Sequence, residues 1–256
     1  MKSKTPLRKD LSDILAPFIA AMTFPIDFEV AAFDGAIDEA KYNSADYKIL
    51  KNICNPHHAQ PNFDVTIGGK PYTIDNYKLV GNKYRLYLRG TDAISVNSFE
   101  LYKPKFLHGT VMAVSAETVD NKDVPIKSVV PFIFLIEEYK ETFDDGWKSA
   151  IHRESQVQIL FLTEEDITGK DTDTLKHNAT EPMSRLVVDF IDMLKSHPEC
   201  FFIDESFRNT DLKKTKLSVH VANKGYEGKQ YFGNKFSGRE MQTTLFIKKE
   251  YSLCEC

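Results

Sequence analysis

Met183, Leu186, Val187, Phe190, Ile191 and Leu194 recur at the spacing of one helix face and draw a continuous apolar stripe along it. Such a stripe has to be buried against something apolar, and the runs on either side of it follow a different period. "VVPFIFLI" and "ESQVQILFL" precede it, and "KLSVHVA" and "MQTTLFIKKEYS" follow; all four read as strands rich in β-branched and aromatic residues. The order strand, strand, helix, strand, strand predicts an α+β fold, an antiparallel sheet with helices packed on one face. Thr180 is the expected cap of the helix, Pro182 falls in the tolerated first turn, and His197-Pro198 is its stop.

Upstream, Leu11, Ile14, Leu15, Phe18, Ile19 and Met22 predict an amphipathic helix, which Pro17 should kink or restart. "DEAKYNSADYKILKNIC" is read as a second helix. From Pro61 to Asn121 the texture changes to short β-like runs, "FDVTI", "KPYTI", "KYRLYL", "SFELY" and "FLHGTVMAVSAE", divided by turn residues. "LVGNKYRLYL" reads as a hairpin, since Gly-Asn suits the tight turn. Three segments follow: residues 1–60, helical and part of the core unit; 61–124, an inserted β module; and 125–256, the α+β core.

Composition narrows the function classes. Hydrophobic residues make up 42% and charged residues 27%, which is globular and excludes wholesale disorder. Eighteen Phe and eleven Tyr against one Trp favour a β-rich core or a large assembly interface. A net charge of −4 carries no basic footprint for gripping nucleic acid. The basic opening "MKSKTPLRK" lacks the apolar stretch of a signal peptide, and no apolar run approaches the ~18 residues of a membrane span. Four cysteines without framework spacing fit a reducing, cytoplasm-like setting.

Few motifs carry chemistry. "IFLIEEYK" could deliver Glu138 and Lys140 to one face of a strand end, a carboxylate for Mg²⁺ and an ammonium for the attacking water, with Asp123 as second carboxylate. The same residues, with Glu137, Glu141 and Asp144-Asp145-Gly146, also read as a solvated mixed-charge turn. "CNPHH" offers Cys54, His57 and His58 as zinc ligands without a clear fourth, or else a turn after a helix that Asn55-Pro56 stops. "IGGKP" and "EGKQ" resemble pieces of a phosphate loop, but neither completes its pattern, and His220 reads as an ordinary strand residue. No catalytic, cofactor-binding or metal-binding residue is assigned. The most unusual stretch is "KGYEGKQYFGNKFSGRE", residues 224–240, whose large aromatics suit contact with another chain or fold back on their own domain. Tyr226, Tyr231, Phe232 and Phe236, with Trp147, are the candidate subunit-interface residues.

Taken in order, "VPFIFLIEEYKE", "QVQILFLTEED", "ATEPMSRLVVDFIDMLKSH" and "YFGNKFSGREMQTTLFIKKEYS" resemble the successive elements of tail-terminator and tail-completion proteins of tailed bacteriophages. The group they are most similar to belongs to phages of Bacteroidetes hosts and includes the ring-forming neck proteins of crAss-like phages. The resemblance covers residues 125–256 together with the N-terminal helix, and the β module at 61–124 is larger than the family pattern.

It implies a virion structural protein, assembled in the host cytoplasm, forming a closed six- or twelve-fold ring in the neck or tail connector. Neighbouring neck, portal or tail proteins would be its partners, and double-stranded DNA only cargo passing the lumen, with no membrane, cofactor or enzymatic activity. The acidic balance suits a lumen that must release phosphates. A metal-dependent nuclease using Glu138 and Lys140, and a monomeric adaptor whose β module binds a partner, are the alternatives.

Overall fold

The computed structural model describes residues 9–35, 40–110, 131–137, 140–143, 151–164, 172–203, 208–212 and 236–248. In chain order they begin with helix α1 (Leu11–Ala21) and strands β1 (Pro25–Asp27) and β2 (Glu29–Ala31), then a 3₁₀ turn (Ala40–Asn43). Next come β3 (Tyr47–Ile53), β4 (Asp64–Ile67), β5 (Lys70–Val80), β6 (Lys83–Arg89), β7 (Ser98–Glu100) and β8 (Lys105–Gly109). The remaining strands are β9 (Phe132–Ile136), β10 (Lys140–Phe143), β11 (Ile151–Glu164), β12 (Phe201–Ile203), β13 (Arg208–Leu212) and β14 (Phe236–Lys248). Before β12 run α2 (Thr172–Leu175), a π-helical turn (Lys176–Thr180) and α3 (Glu181–Lys195). The chain is mixed α+β with mostly antiparallel sheets, and it divides into two compact units. Residues 1–22 and 104–256 form one; residues 23–103 form the other.

The first unit is built on a seven-stranded sheet in the order β12-β14-β11-β9-β8, with β10 also pairing β11 and β13 also pairing β14. Its spine is the β11–β14 pair, in register from Glu154 opposite Phe246 to Glu164 opposite Phe236. Odd residues of β11 (Val157, Ile159, Phe161) share a face with Met241, Leu245 and Ile247 of β14, and all are buried. Helix α3 covers this face: its whole apolar stripe is buried, and Phe190 meets Phe161 edge-on at 5.5 Å between ring centroids. Each large apolar side chain so buried contributes about 1.5–3 kcal/mol. The opposite face is apolar too at one end, where Phe132, Phe134, Leu160, Leu162 and Phe236 are buried. A strand buried on both faces has no use for alternation, which is why β9 reads as the unbroken run "FIFLI".

Helix α1 lies against β8 and α3, and Phe18 packs on Phe201 and on the His197 ring. Pro17 does not start a new helix: α1 runs through it from Leu11 to Ala21, with Pro17 exposed. Thr180 is not a cap. Its backbone is helical with no capping bond from its side chain, and the helical path already runs through α2 and the π turn. The Glu181 N–H reaches the Lys176 carbonyl five residues back, the spacing of a π turn, so these amides are satisfied without a cap. The stop after Lys195 falls where Pro198 requires it. "KLSVHVA" lies outside the described residues.

The second unit starts much earlier than residue 61. Its five-stranded sheet runs β2-β3-β6-β5-β4, and β1 pairs β7 in a separate ribbon. Of "DEAKYNSADYKILKNIC", residues 40–54 are described, and they hold the 3₁₀ turn and strand β3, a partner of β6, in place of an α-helix. Ile49 and Leu50 of "YKILKNI" are buried opposite Tyr87 and Leu86 across the ladder, and this packing outweighs the local helical spacing. At its other end the unit stops at Lys103: "FLHG" is β8, which pairs parallel with β9 in the first unit. The expected hairpin is present, with Val80 opposite Lys83 and Gly81 at φ 65°, the positive value that the first turn position demands.

Candidate functional site

β9 and β10 lie along the same flank of β11 in two registers. Leu135 faces Ile159 and Lys140 faces Gln156. The Glu137 carboxylate meets the His108 ring, Oε1 lying 2.6 Å from Nδ1. Lys140 is exposed, while Glu141 turns to the other face of the sheet. There its Oε1 accepts from Arg153 Nε at 2.6 Å and from the Ser155 hydroxyl at 3.0 Å, and the guanidinium also donates to the Lys9 carbonyl at 2.7 Å. Arg153 is only 3% exposed, so this cluster ties the chain just before α1 to the sheet. Glu138 and Asp123, which the metal-site reading needs, lie outside the described residues.

The second unit has its own polar cluster. β5 carries one extra residue between Ile74, opposite Leu88, and Asn76, opposite Tyr87; that residue is Asp75. Its carboxylate accepts from the Tyr42 hydroxyl at 2.6 Å and pairs with the Lys41 ammonium at 2.8 Å. The bulge is what aims Asp75 at the 3₁₀ turn. Tyr42 packs on Tyr87 and, edge-on, on Tyr47, and the Lys41 ammonium lies over the Tyr42 ring at 4.9 Å. Burial, reinforced by the Asp75 hydrogen bond, pushes the Tyr42 phenol well above its ordinary pKa. Burial alone would raise Asp75, but hydrogen bonds from Lys41 and Tyr42 outweigh it and hold the carboxyl below its ordinary value. Beside this cluster the Arg85 guanidinium forms a salt bridge with Asp34.

Cys54, His57 and His58 follow a strand, not a helix, and their polar atoms take separate partners. Lys83 donates to the Cys54 sulfur, Asn55 meets His57 Nδ1, and His58 Nε2 reaches the Tyr102 carbonyl at 2.7 Å. Among the described residues no group of three or more His, Cys, Asp or Glu side chains is placed to hold a metal ion.

Of the candidate interface residues, Phe236 is corrected. It is fully buried at the start of β14, edge-on to Phe132 at 5.4 Å, because it closes the apolar end of the sheet's second face. Tyr226, Tyr231, Phe232 and Trp147 lie outside the described residues. Neither the Arg153–Glu141 tie nor the Asp75 bulge was read from the sequence. The one available signal for the latter was the polar doublet Asp75-Asn76 inside an otherwise alternating strand. Among the described residues no helix is long and apolar enough to cross a membrane.

The described elements define a protein of two compact units, a sheet-and-helix unit interrupted after its first helix by a β unit. Compared with family models, curated proteins and solved structures, the chain matches none.

Proposed function

We propose that the chain is a structural protein of a tailed-bacteriophage particle, forming a closed ring in the neck or at the head-proximal end of the tail, with neighbouring neck, portal or tail proteins stacked on it. The observation that supports this reading is where its resemblance falls. "FIFLI", "QVQILFL" and "FSGREMQTTLFIK" lie in adjacent strands of one sheet, and "EPMSRLVVDFIDMLK" is the helix across it, so described parts of the segments that resemble a tail-terminator-like fold pack together as one unit. In this reading the β unit of residues 23–103 is an elaboration that reaches a neighbour, and the sheet-and-helix unit makes the ring.

A ring requires heterologous contacts that close by rotation, the same two patches meeting at every junction. A lumen that passes duplex DNA also requires weak phosphate contacts, and the net charge of −4 suits that. The test is the mass of the purified chain by light scattering, followed by electron microscopy of the oligomer. Closed rings of six or twelve copies are expected. A chain that stays monomeric at all concentrations and cuts plasmid DNA with Mg²⁺, losing that cleavage in Glu138→Ala, would replace this reading with the nuclease.

A further inference from the structure

Cys54 follows the last residue of β3, and Lys83 opens β6. Ile53 pairs with Tyr84, so one step further along the same antiparallel register Cys54 stands opposite Lys83. The Lys83 ammonium donates to the Cys54 sulfur across 2.7 Å. Backbone geometry sets this meeting on both strands. The Gly81-Asn82 turn fixes where β6 begins, with Val80 opposite Lys83 on its other side. On β3, an extra residue between Leu50 and Ile53, where Asn52 takes φ 63°, sets the phase that delivers Cys54. Cys54 is exposed, whereas the other described cysteine, Cys200, is buried.

We propose that Cys54 and Lys83 are an oxidative cross-linking site, at which a peroxide joins the two side chains and staples the end of β3 to the start of β6. In the first step the Cys54 sulfur attacks hydrogen peroxide: an S–O bond forms, the O–O bond breaks, and the thiol becomes a sulfenic acid with release of one water. In the second, the deprotonated Lys83 amine attacks that sulfur: an S–N bond forms, the S–O bond breaks, and the hydroxyl leaves as a second water with a proton from the nitrogen. The thiol is oxidised by two electrons, the peroxide takes them up, and the lysine changes no oxidation state. Sulfenic acids condense with a neighbouring backbone nitrogen to a sulfenamide, and here the Lys83 amine takes the place of that nitrogen. The closed loop would run from residue 54 to 83 and span β4 and β5, so the link restricts the unfolded chain and raises the unfolding temperature of the β unit. None of this depends on the ring reading.

The experiment uses the full chain carrying Cys254→Ser and Cys256→Ser, so that no disulfide with the C-terminal cysteines competes. It is treated with hydrogen peroxide, digested without reductant and read by mass spectrometry. The expected product is a linked pair of peptides containing Cys54 and Lys83, lighter by two hydrogens than the two peptides together and released by dithiothreitol. Lys83→Arg keeps the cation but replaces the amine with a poor nucleophile. That variant, with an unchanged circular dichroism spectrum, should give no link and carry Cys54 on to sulfinic acid. Three results would overturn the proposal: Cys54 oxidised in the parent chain without any linked pair, a link that persists in Lys83→Arg, or a link retaining the oxygen, which would replace the S–N step by an N–O–S bridge.

Discussion

Arg153 and Glu141 hold each other across the β10–β11 pair, the guanidinium bonding the carboxylate while another of its nitrogens reaches the Lys9 carbonyl. Arg153 is almost wholly buried, so removing its partner leaves a buried charge without its compensating carboxylate. Glu141→Ala should therefore cost about 3 kcal/mol in a denaturant titration. Replacing both residues, with Arg153→Met and Glu141→Leu, should cost clearly less, because no lone charge remains buried. Equal losses in the single and double variants would mean that the pair is not what holds this corner.

Gly238 should accept no side chain. A Cβ there would sit 1.9 Å from the Phe161 carbonyl oxygen and 3.0 Å from its carbon, on the neighbouring strand of the sheet's spine. Backbone cannot swing aside as a flexible side chain can, so Gly238→Ala forces β11 and β14 apart. The expected loss is about 3 kcal/mol, the upper end for overpacking, read as a lowered denaturation midpoint. Gly81→Asn, at a turn with open space around it, should cost under about 1 kcal/mol because asparagine tolerates positive φ.

The Tyr42–Asp75–Lys41 cluster predicts how the β unit responds to pH. Asp75 has a folded pKa held below its ordinary value, so its contribution is complete above the ordinary carboxylate range and is lost as pH falls through the lower folded value. Asp75→Asn should remove that acid dependence and cost about 1.5–3 kcal/mol at neutral pH, as for hydrogen bonds to a charged group. Tyr42, Tyr72 and Tyr87 are all raised, each chiefly by burial. Their contribution is complete below the ordinary phenol value of about 10 and fades above it, so stability should fall on the alkaline side. Phenolate absorbance followed against pH checks this: tyrosines that ionise early, with the fold intact, would sink it.

The boundaries of the β unit predict which excision is tolerated. Replacing residues 23–103 by a short Gly/Ser linker should leave a chain with cooperative thermal unfolding, since that cut removes whole sheets and leaves β8 beside β9. Replacing 61–124 instead should abolish cooperative unfolding, because it removes β8 from the first sheet and strands β2 and β3 without β6. If both excised chains unfold alike, the two units are not separable in this way.

What the sequence determined by itself was periodicity. The stripe from Met183 to Leu194, the helix from Leu11, the buried run of β9 and the Gly81-Asn82 hairpin are all written in residues close together in the chain, where side-chain spacing alone selects helix, strand or turn. Tertiary structure decided everything that depends on register. Residues 47–53 look helical until β6 is beside them, and "FLHG" looks like part of the β unit until β9 pairs with it. Phe236 looks like an interface aromatic until Phe132 covers it. Asp75 reaches Tyr42 because a bulge in β5 puts it out of step with β6, and Glu141 reaches Arg153 because β10 pairs antiparallel with β11, setting Glu141 opposite Ser155. A strand's partner and its phase are set by hydrogen bonds and packing with residues far along the chain, and no local window of sequence contains that information.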